Sequence, residues 1–183
     1  MAAQGLAEAQ CNLGYCYTDG EGVVQDDTLA VKWQAKAAAQ GFANAQYNLG
    51  ISYERGVGVA KDAALAVKWY AKAAAQGDAD AQFNLGYCYS RGIGVVQDFT
   101  LATEWYAKAA AQGGADAQYN PGVCYELGNG GARDAALAVE WYAKSAAQGL
   151  SGPRSLSRAS QLPLGAHLEG VAHSIDISLP IFA

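Results

Sequence analysis

The feature that most constrains this chain is that it repeats itself every 36 residues. Trp33, Trp69, Trp105 and Trp141 stand at that interval, and so do the Gln-Gly pairs that begin at Gln40, Gln76, Gln112 and Gln148. A unit this short cannot bury an apolar face alone, so a fixed period predicts stacked units that share a continuous seam. Four full units follow one another, residues 6–41, 42–77, 78–113 and 114–149. Met1-Ala2-Ala3-Gln4-Gly5 aligns with Ala38-Ala39-Gln40-Gly41, so residues 1–5 read as the end of a truncated preceding repeat. Residues 150–183 form a tail with no Trp, no Tyr and no period.

Each unit reads as a helical hairpin. In the second, Ala45, Leu49 and Tyr53 step by four along one face of a helix expected from about Ala43 to Glu54. Arg55-Gly56-Val57-Gly58-Val59 then breaks it, because two close glycines supply the positive φ that ends a helix, with Val59 as an apolar plug. A second helix begins at an Asp present in every copy, namely Asp26, Asp62, Asp98 and Asp134, each placed to accept from the free N–H groups of the first turn. Leu65, Ala66, Trp69 and Ala73 form its apolar stripe, with large Trp expected to face small Ala. The fold class that follows is all-α, an α-solenoid of antiparallel helix pairs.

The pattern A-x-A-Q-x-N-L-G-x-x-Y-x-x-G-x-G-V-x-x-D-x-x-x-A-x-x-W-Y-x-x-A-A-x-Q-G, read from Ala43 to Gly77, resembles the Sel1-like repeat, a relative of the tetratricopeptide repeat. The resemblance covers about four fifths of the chain. It implies a right-handed superhelix that serves as an adaptor or scaffold, with first helices lining a concave surface. Three departures stand out. Gln34 replaces the Tyr of the other copies, Pro121 replaces Leu13, Leu49 and Leu85, and Gly131 replaces Val23, Val59 and Val95. A proline inside a helix costs about 3 kcal/mol, so the fourth unit is expected to be kinked and looser.

Several classes of chemistry find no support. A net charge of −5 with no Lys/Arg cluster argues against a nucleic-acid partner, whose phosphates need concentrated positive charge. Cys16, Cys88 and Cys124 share one repeat position, while Cys11 stands where Tyr47 stands. Equivalent atoms of stacked helices lie roughly 9 Å or more apart, too far for a disulfide, so these are read as reduced thiols. There is no C-x-x-C, and His167 and His173 lie outside the repeats, which leaves no metal site, no cofactor and no nucleophile–base pair for an enzyme within them. Gly20-x-Gly22 lacks the Lys of a phosphate-binding loop. With no secretory signal and no membrane span in view, the default compartment is cytoplasmic. The tail opens as a linker at Ser151-Gly152-Pro153-Arg154, and Val171 to Phe182 is apolar enough to cap the array, disorder being the alternative.

What varies among the copies points to function. One face of the first helices carries Asn12 and Tyr15, then Asn48, Ile51 and Arg55, then Asn84, Tyr87 and Arg91. An amide can bond a peptide backbone in both directions and the neighbouring side chains offer apolar contact, so these eight residues are the candidate groove for a protein or peptide partner. Two readings stand beside it: the asparagines brace adjacent helices while Tyr and Ile pack between units, or the chain is a fragment of a longer array with only a structural role. An enzyme would need its site outside the repeats. End-to-end self-association is the remaining expectation, since stacked units end in uncapped faces.

Overall fold

The computed structural model describes residues 2–113, 115–128 and 132–149. Among these the chain forms eight helices: α1 (Ala2–Asp19), α2 (Asp27–Ala39), α3 (Ala43–Arg55), α4 (Ala63–Ala75), α5 (Ala79–Arg91), α6 (Phe99–Ala111), α7 (Ala115–Leu127) and α8 (Ala135–Gly149). Every helix packs on its neighbours in sequence, giving four hairpins stacked in register within one compact unit, Met1–Gly152. The expected all-α solenoid of helix pairs is what forms. The calls on the tail, on its histidines and on Gly131 lie outside the described residues.

Local chemistry sets the boundaries. The Oδ1 atoms of Asp26, Asp62, Asp98 and Asp134 each accept from the backbone N–H three residues on, at 2.9 Å, caps that stabilise a helix by about 1 kcal/mol apiece. The N–H of the same Asp donates back to Tyr17, Tyr53, Tyr89 or Tyr125 at 2.9–3.0 Å. Each loop is thereby closed at both ends, by the last turn of one helix and the cap of the next. At the other end Phe42 and Asp78 donate to Ala37 and Ala73 at 3.2 Å, past a glycine of positive φ that no larger residue adopts cheaply.

Within the second, third and fourth hairpins the contact that matters is a glycine under an aromatic ring, while in the first Gly14 lies under the Gln34 side chain. A Cβ placed on Gly50 would sit 2.5 Å from the Tyr70 ring, one on Gly86 2.8 Å from Tyr106, and one on Gly122 2.6 Å from Tyr142. Tyr70 is wholly buried and Tyr106 nearly so, whereas all four Trp are only half-buried. The expected Trp-on-Ala contact forms, with Trp69 packed against the cluster of Ala37, Ala38 and Ala45 and Trp141 against Ala109 and Ala110, but the fully buried aromatic of the seam is Tyr. Tyr fills the seam because the facing helix offers a bare backbone there. Trp lies at the rim, where the ammonium of the Lys three residues on covers its ring at 3.8–4.4 Å.

Two positions stand out along the helices. Helix α7 runs on through Pro121, which lies fully buried where Leu49 and Leu85 lie buried in the earlier units. Its missing N–H removes one helical bond without ending the helix. Ala2 to Gly5 continue α1 as helix, although Gly5 aligns with Gly41, Gly77 and Gly113, which all have positive φ.

The second glycine of each loop tests how much of this is packing. Gly22 and Gly58 have matching φ of 71° and 69°, yet a Cβ on Gly22 meets nothing within 4 Å while one on Gly58 runs into the backbone of Asp27 in the preceding hairpin. Gly22→Ala should cost only the left-handed strain of about 1–2 kcal/mol. Gly58→Ala should cost about 1–3 kcal/mol more by overpacking, read as a larger drop in urea midpoint.

Candidate functional site

The first helices place the candidate residues on one run of surface, and the structure joins some of them directly. The Asn48 amide donates to the Tyr15 hydroxyl at 2.7 Å, linking α3 to α1 across the hairpin boundary, and also reaches Gln34 Oε1 at 3.4 Å. One unit on, Asn84 interacts instead with the hydroxyl of Tyr47, which stands at the Cys11 position, since Ile51 replaces Tyr15 there. The Arg91 guanidinium lies 6.0 Å from the Tyr87 ring, a loose stack at the exposed end of α5. Ile51 and Tyr87 are half-buried against the core clusters between hairpins, while Asn12, Tyr15 and Arg55 are exposed. These residues thus include polar links between hairpins at Tyr15, Asn48 and Asn84, apolar side chains with one side in the core at Ile51 and Tyr87, and cations at the ends of α3 and α5.

Gln34, standing where the other units have Tyr, is buried and uses its carbonyl oxygen twice, accepting from Asn48 and from the Cys11 thiol at 3.6 Å. The Tyr it replaces meets carboxylates elsewhere. Tyr70 donates to Glu54 and Tyr142 to Glu126, both at 2.6 Å. Burial first, and then that bond, hold the Tyr70 phenol far above its ordinary range, so it stays a proton donor.

A second row of amides escaped the reading of the sequence. Gln46 donates to the Ala38 carbonyl of the preceding hairpin at 3.1 Å and accepts from Gln76 of its own at 2.7 Å. Gln82 repeats this with Ala74 at 3.1 Å and Gln112 at 2.9 Å. Gln46 and Gln82 are buried, and the side-chain nitrogen and oxygen of each are hydrogen-bonded inside the stack. The signal was present, since both glutamines recur at the period of the repeat, but periodicity alone does not show that two residues 30 apart face each other.

No reactive centre appears among the described residues. All four cysteines are free, and burial pushes the Cys88 thiol up to about 12, which keeps it protonated and inert at neutral pH. Among the described residues no group of His, Cys, Asp and Glu could hold a metal ion, and no helix is long and apolar enough to cross a membrane.

Comparison with known proteins fits this geometry. A family model described as Sel1 repeat matches residues 7–42, 43–78, 79–114 and 115–150, one residue out of phase with the units read from the sequence. A solved structure of c5321, a protective antigen present in uropathogenic Escherichia coli strains displaying an SLR fold, is 44% identical, with a TM-score of 0.77 over 81% of this chain and 32% of its own. A Sel1 repeat protein from Oxalobacter formigenes is 43% identical with a TM-score of 0.77, covering 78% of this chain and 59% of its own. Cysteine rich protein B of Helicobacter pylori is 31% identical with a TM-score of 0.52, covering 63% of this chain and 89% of its own. The chain therefore spans less than two thirds of the first two relatives. No curated protein matches it.

Two outcomes follow from the buried polar groups. Gln46→Ala removes two hydrogen bonds at a buried position, at about 0.5–1.5 kcal/mol each, and should cost about 1–3 kcal/mol, whereas Gln10→Ala, which loses one exposed bond to Gln40, should stay within about 0.5 kcal/mol. Denaturant titration of both variants reads the difference. The Cys88 thiol, raised from 9.0 to about 12, and the Tyr47 phenol, raised from 10.0 to about 12, both stay protonated in the fold while the unfolded chain ionises. Their contribution is complete below pH 9 and is lost as pH rises from 9 towards 12, so the melting temperature should fall across that window.

Proposed function

The chain belongs to the Sel1 repeat family, and from that premise we propose that it captures an extended peptide or a segment of a partner protein along the exposed face of α1, α3 and α5. Sel1-like repeat proteins are generally protein-interaction modules of a non-enzymatic, scaffold type. Which surface this member uses is the proposal. Support comes chiefly from one observation: the Tyr15–Asn48 pair presents a hydroxyl and an amide together at the surface, bridging two hairpins, where a backbone N–H or C=O of a ligand could exchange with the bond they now make. Ile51 and Tyr87 add half-exposed apolar area beside it, and Arg55 and Arg91 place two cations at the ends of α3 and α5. A ligand that carries apolar side chains and a carboxylate suits that order of groups. No covalent step is involved, and binding energy comes from apolar burial and hydrogen-bond exchange on a preformed surface.

The test is a peptide-display selection against the intact chain, followed by titration of the selected peptides into two forms: wild type, and a variant carrying Tyr15→Ala, Ile51→Ala and Tyr87→Ala. Both forms are first compared for helicity. Binding should weaken by about 10-fold or more, the scale expected when aromatic anchors at an interface are truncated. Equal affinity for a variant of unchanged helicity would place the binding surface elsewhere.

A further inference from the structure

We infer that the joint between the first and second hairpins holds a neutral polar subsite, which takes a glutamine or asparagine side chain of the bound peptide. This rests on the reading that the first-helix face binds a peptide, and adds which side chain the first hairpin selects. Three departures from the repeat meet at this joint. In the next two hairpins a pair of rings lies between the helices, Tyr47 with Tyr70 at 5.9 Å between centroids and Phe83 with Tyr106 at 5.5 Å. The first hairpin has Cys11 and Gln34 at those positions. Tyr70 also lies within electrostatic reach of Cys88, and Tyr106 of Cys124, each cysteine standing on the first helix of the following hairpin. At the first joint that position is Ser52. Two rings and a thiol are thus exchanged for a thiol, an amide and a hydroxyl.

The exchange leaves hydrogen-bonding groups unused in a covered place. Gln34 is 4% exposed, and its Oε1 accepts from Asn48 and Cys11, whereas its Nε2, lying over the bare backbone of Gly14, donates to no described residue. The tyrosines at the same position all find partners, in Glu54, Ser90 and Glu126. Thr18, which stands where those partners stand, spends its hydroxyl on the Gly14 carbonyl. Asn48 shows the reverse: its Nδ2 donates to Tyr15 and Gln34, while its Oδ1 accepts from no described residue. A donor and a neighbouring acceptor without partners call for one group that carries both, and a primary carboxamide does. The stack itself uses that pairing, with Gln76 donating to Gln46 at 2.7 Å and Gln112 to Gln82 at 2.9 Å. An anion suits the place less, because Glu8 acts on Cys11 and Asp78 on Tyr15, and both carboxylates would repel it. A peptide backbone carries the same two groups but does not reach a side chain this covered. Tyr15, 40% exposed and bonded to Asn48 and Cys11, is the outermost of the group, and turning it aside costs one exposed link and opens the way in.

The test titrates propionamide and sodium propionate, the neutral and the anionic side chain in miniature, into the isotope-labelled full chain. The side-chain amide resonances of Gln34 and Asn48 should move saturably with propionamide and stay in place with propionate. Two variants are titrated alongside, each first matched to wild type by circular dichroism. Cys11→Tyr with Gln34→Tyr restores the ring pair of the other hairpins, and Gln34→Met keeps the length without the donor. Both should lose the movement at Asn48. Peptides selected against the intact chain supply a second arm. Replacing their carboxamide side chain by Leu should weaken binding to wild type about 10-fold, the scale of two lost hydrogen bonds, and leave affinity for the variants unchanged. Absence of saturable movement overturns the inference, as does an equal response to propionate or an unchanged response in the folded variants. Peptides that bind through Tyr15, Ile51 and Tyr87 without preferring a carboxamide overturn it and leave the groove standing. Propionamide binding without any such peptide overturns the groove alone.

Discussion

The amide of Gln46 touches three helices, and the rest of the stack depends on it. It sits on α3, reaches back to the last turn of α2 and receives the side chain at the end of α4. Two hairpins are thereby held at one height, and Gln82 does the same one unit later. Such a link is needed because the surrounding core is built largely from alanine. At about 25 cal/mol per Å² of apolar area, small side chains contribute little apiece and discriminate weakly between neighbouring registers. A buried amide does discriminate, since a slip along the helix leaves donor and acceptor unsatisfied at a cost of about 1–3 kcal/mol. Apolar contact drives the helices together, and the glutamine row decides where they stop.

Alanine and glycine have a second consequence, which is closeness. The bare backbone of Gly50 or Gly86 admits a tyrosine ring from the partner helix, and Gly58 or Gly94 admits the backbone of the preceding hairpin. Polar ends then find partners at the rim: Tyr70 on Glu54, Tyr142 on Glu126, and a lysine over each tryptophan. The aromatic residues therefore divide by chemistry. A phenol can be buried when its hydroxyl reaches a polar partner at the edge, Glu54 for Tyr70 and Ser90 for Tyr106, while the larger indole stays half-buried with a cation over its ring.

This construction leaves the first-helix face free to vary. Positions 15, 51 and 87 carry Tyr, Ile and Tyr without disturbing the glycine, tyrosine and glutamine contacts behind them. Between hairpins the Tyr15–Asn48 and Tyr47–Asn84 links do belong to the stack, so bracing and surface chemistry are shared by the same side chains. A rigid frame with a variable outer row is the arrangement that a binding module needs, because positioning comes from the frame and selectivity from the row.

The sequence by itself determined the repeat, its period, the hairpin, the Asp caps and the glycine turns, because each of these is local. An Asp side chain reaches only the next turn of its own helix, and a positive φ is a property of one residue. It also indicated free cysteines and the row of candidate residues along the first helices. Only the tertiary structure decided that Tyr is the fully buried aromatic while Trp packs half-buried on the alanines, that Gln46 pairs with Gln76, that Gly58 is required by the hairpin before it, and that α7 runs through Pro121. Those outcomes depend on which residues, 16 to 36 positions apart, are brought within a few ångströms of each other. A period of 36 states that such contacts recur, while the offset and rotation between hairpins decide which atoms make them.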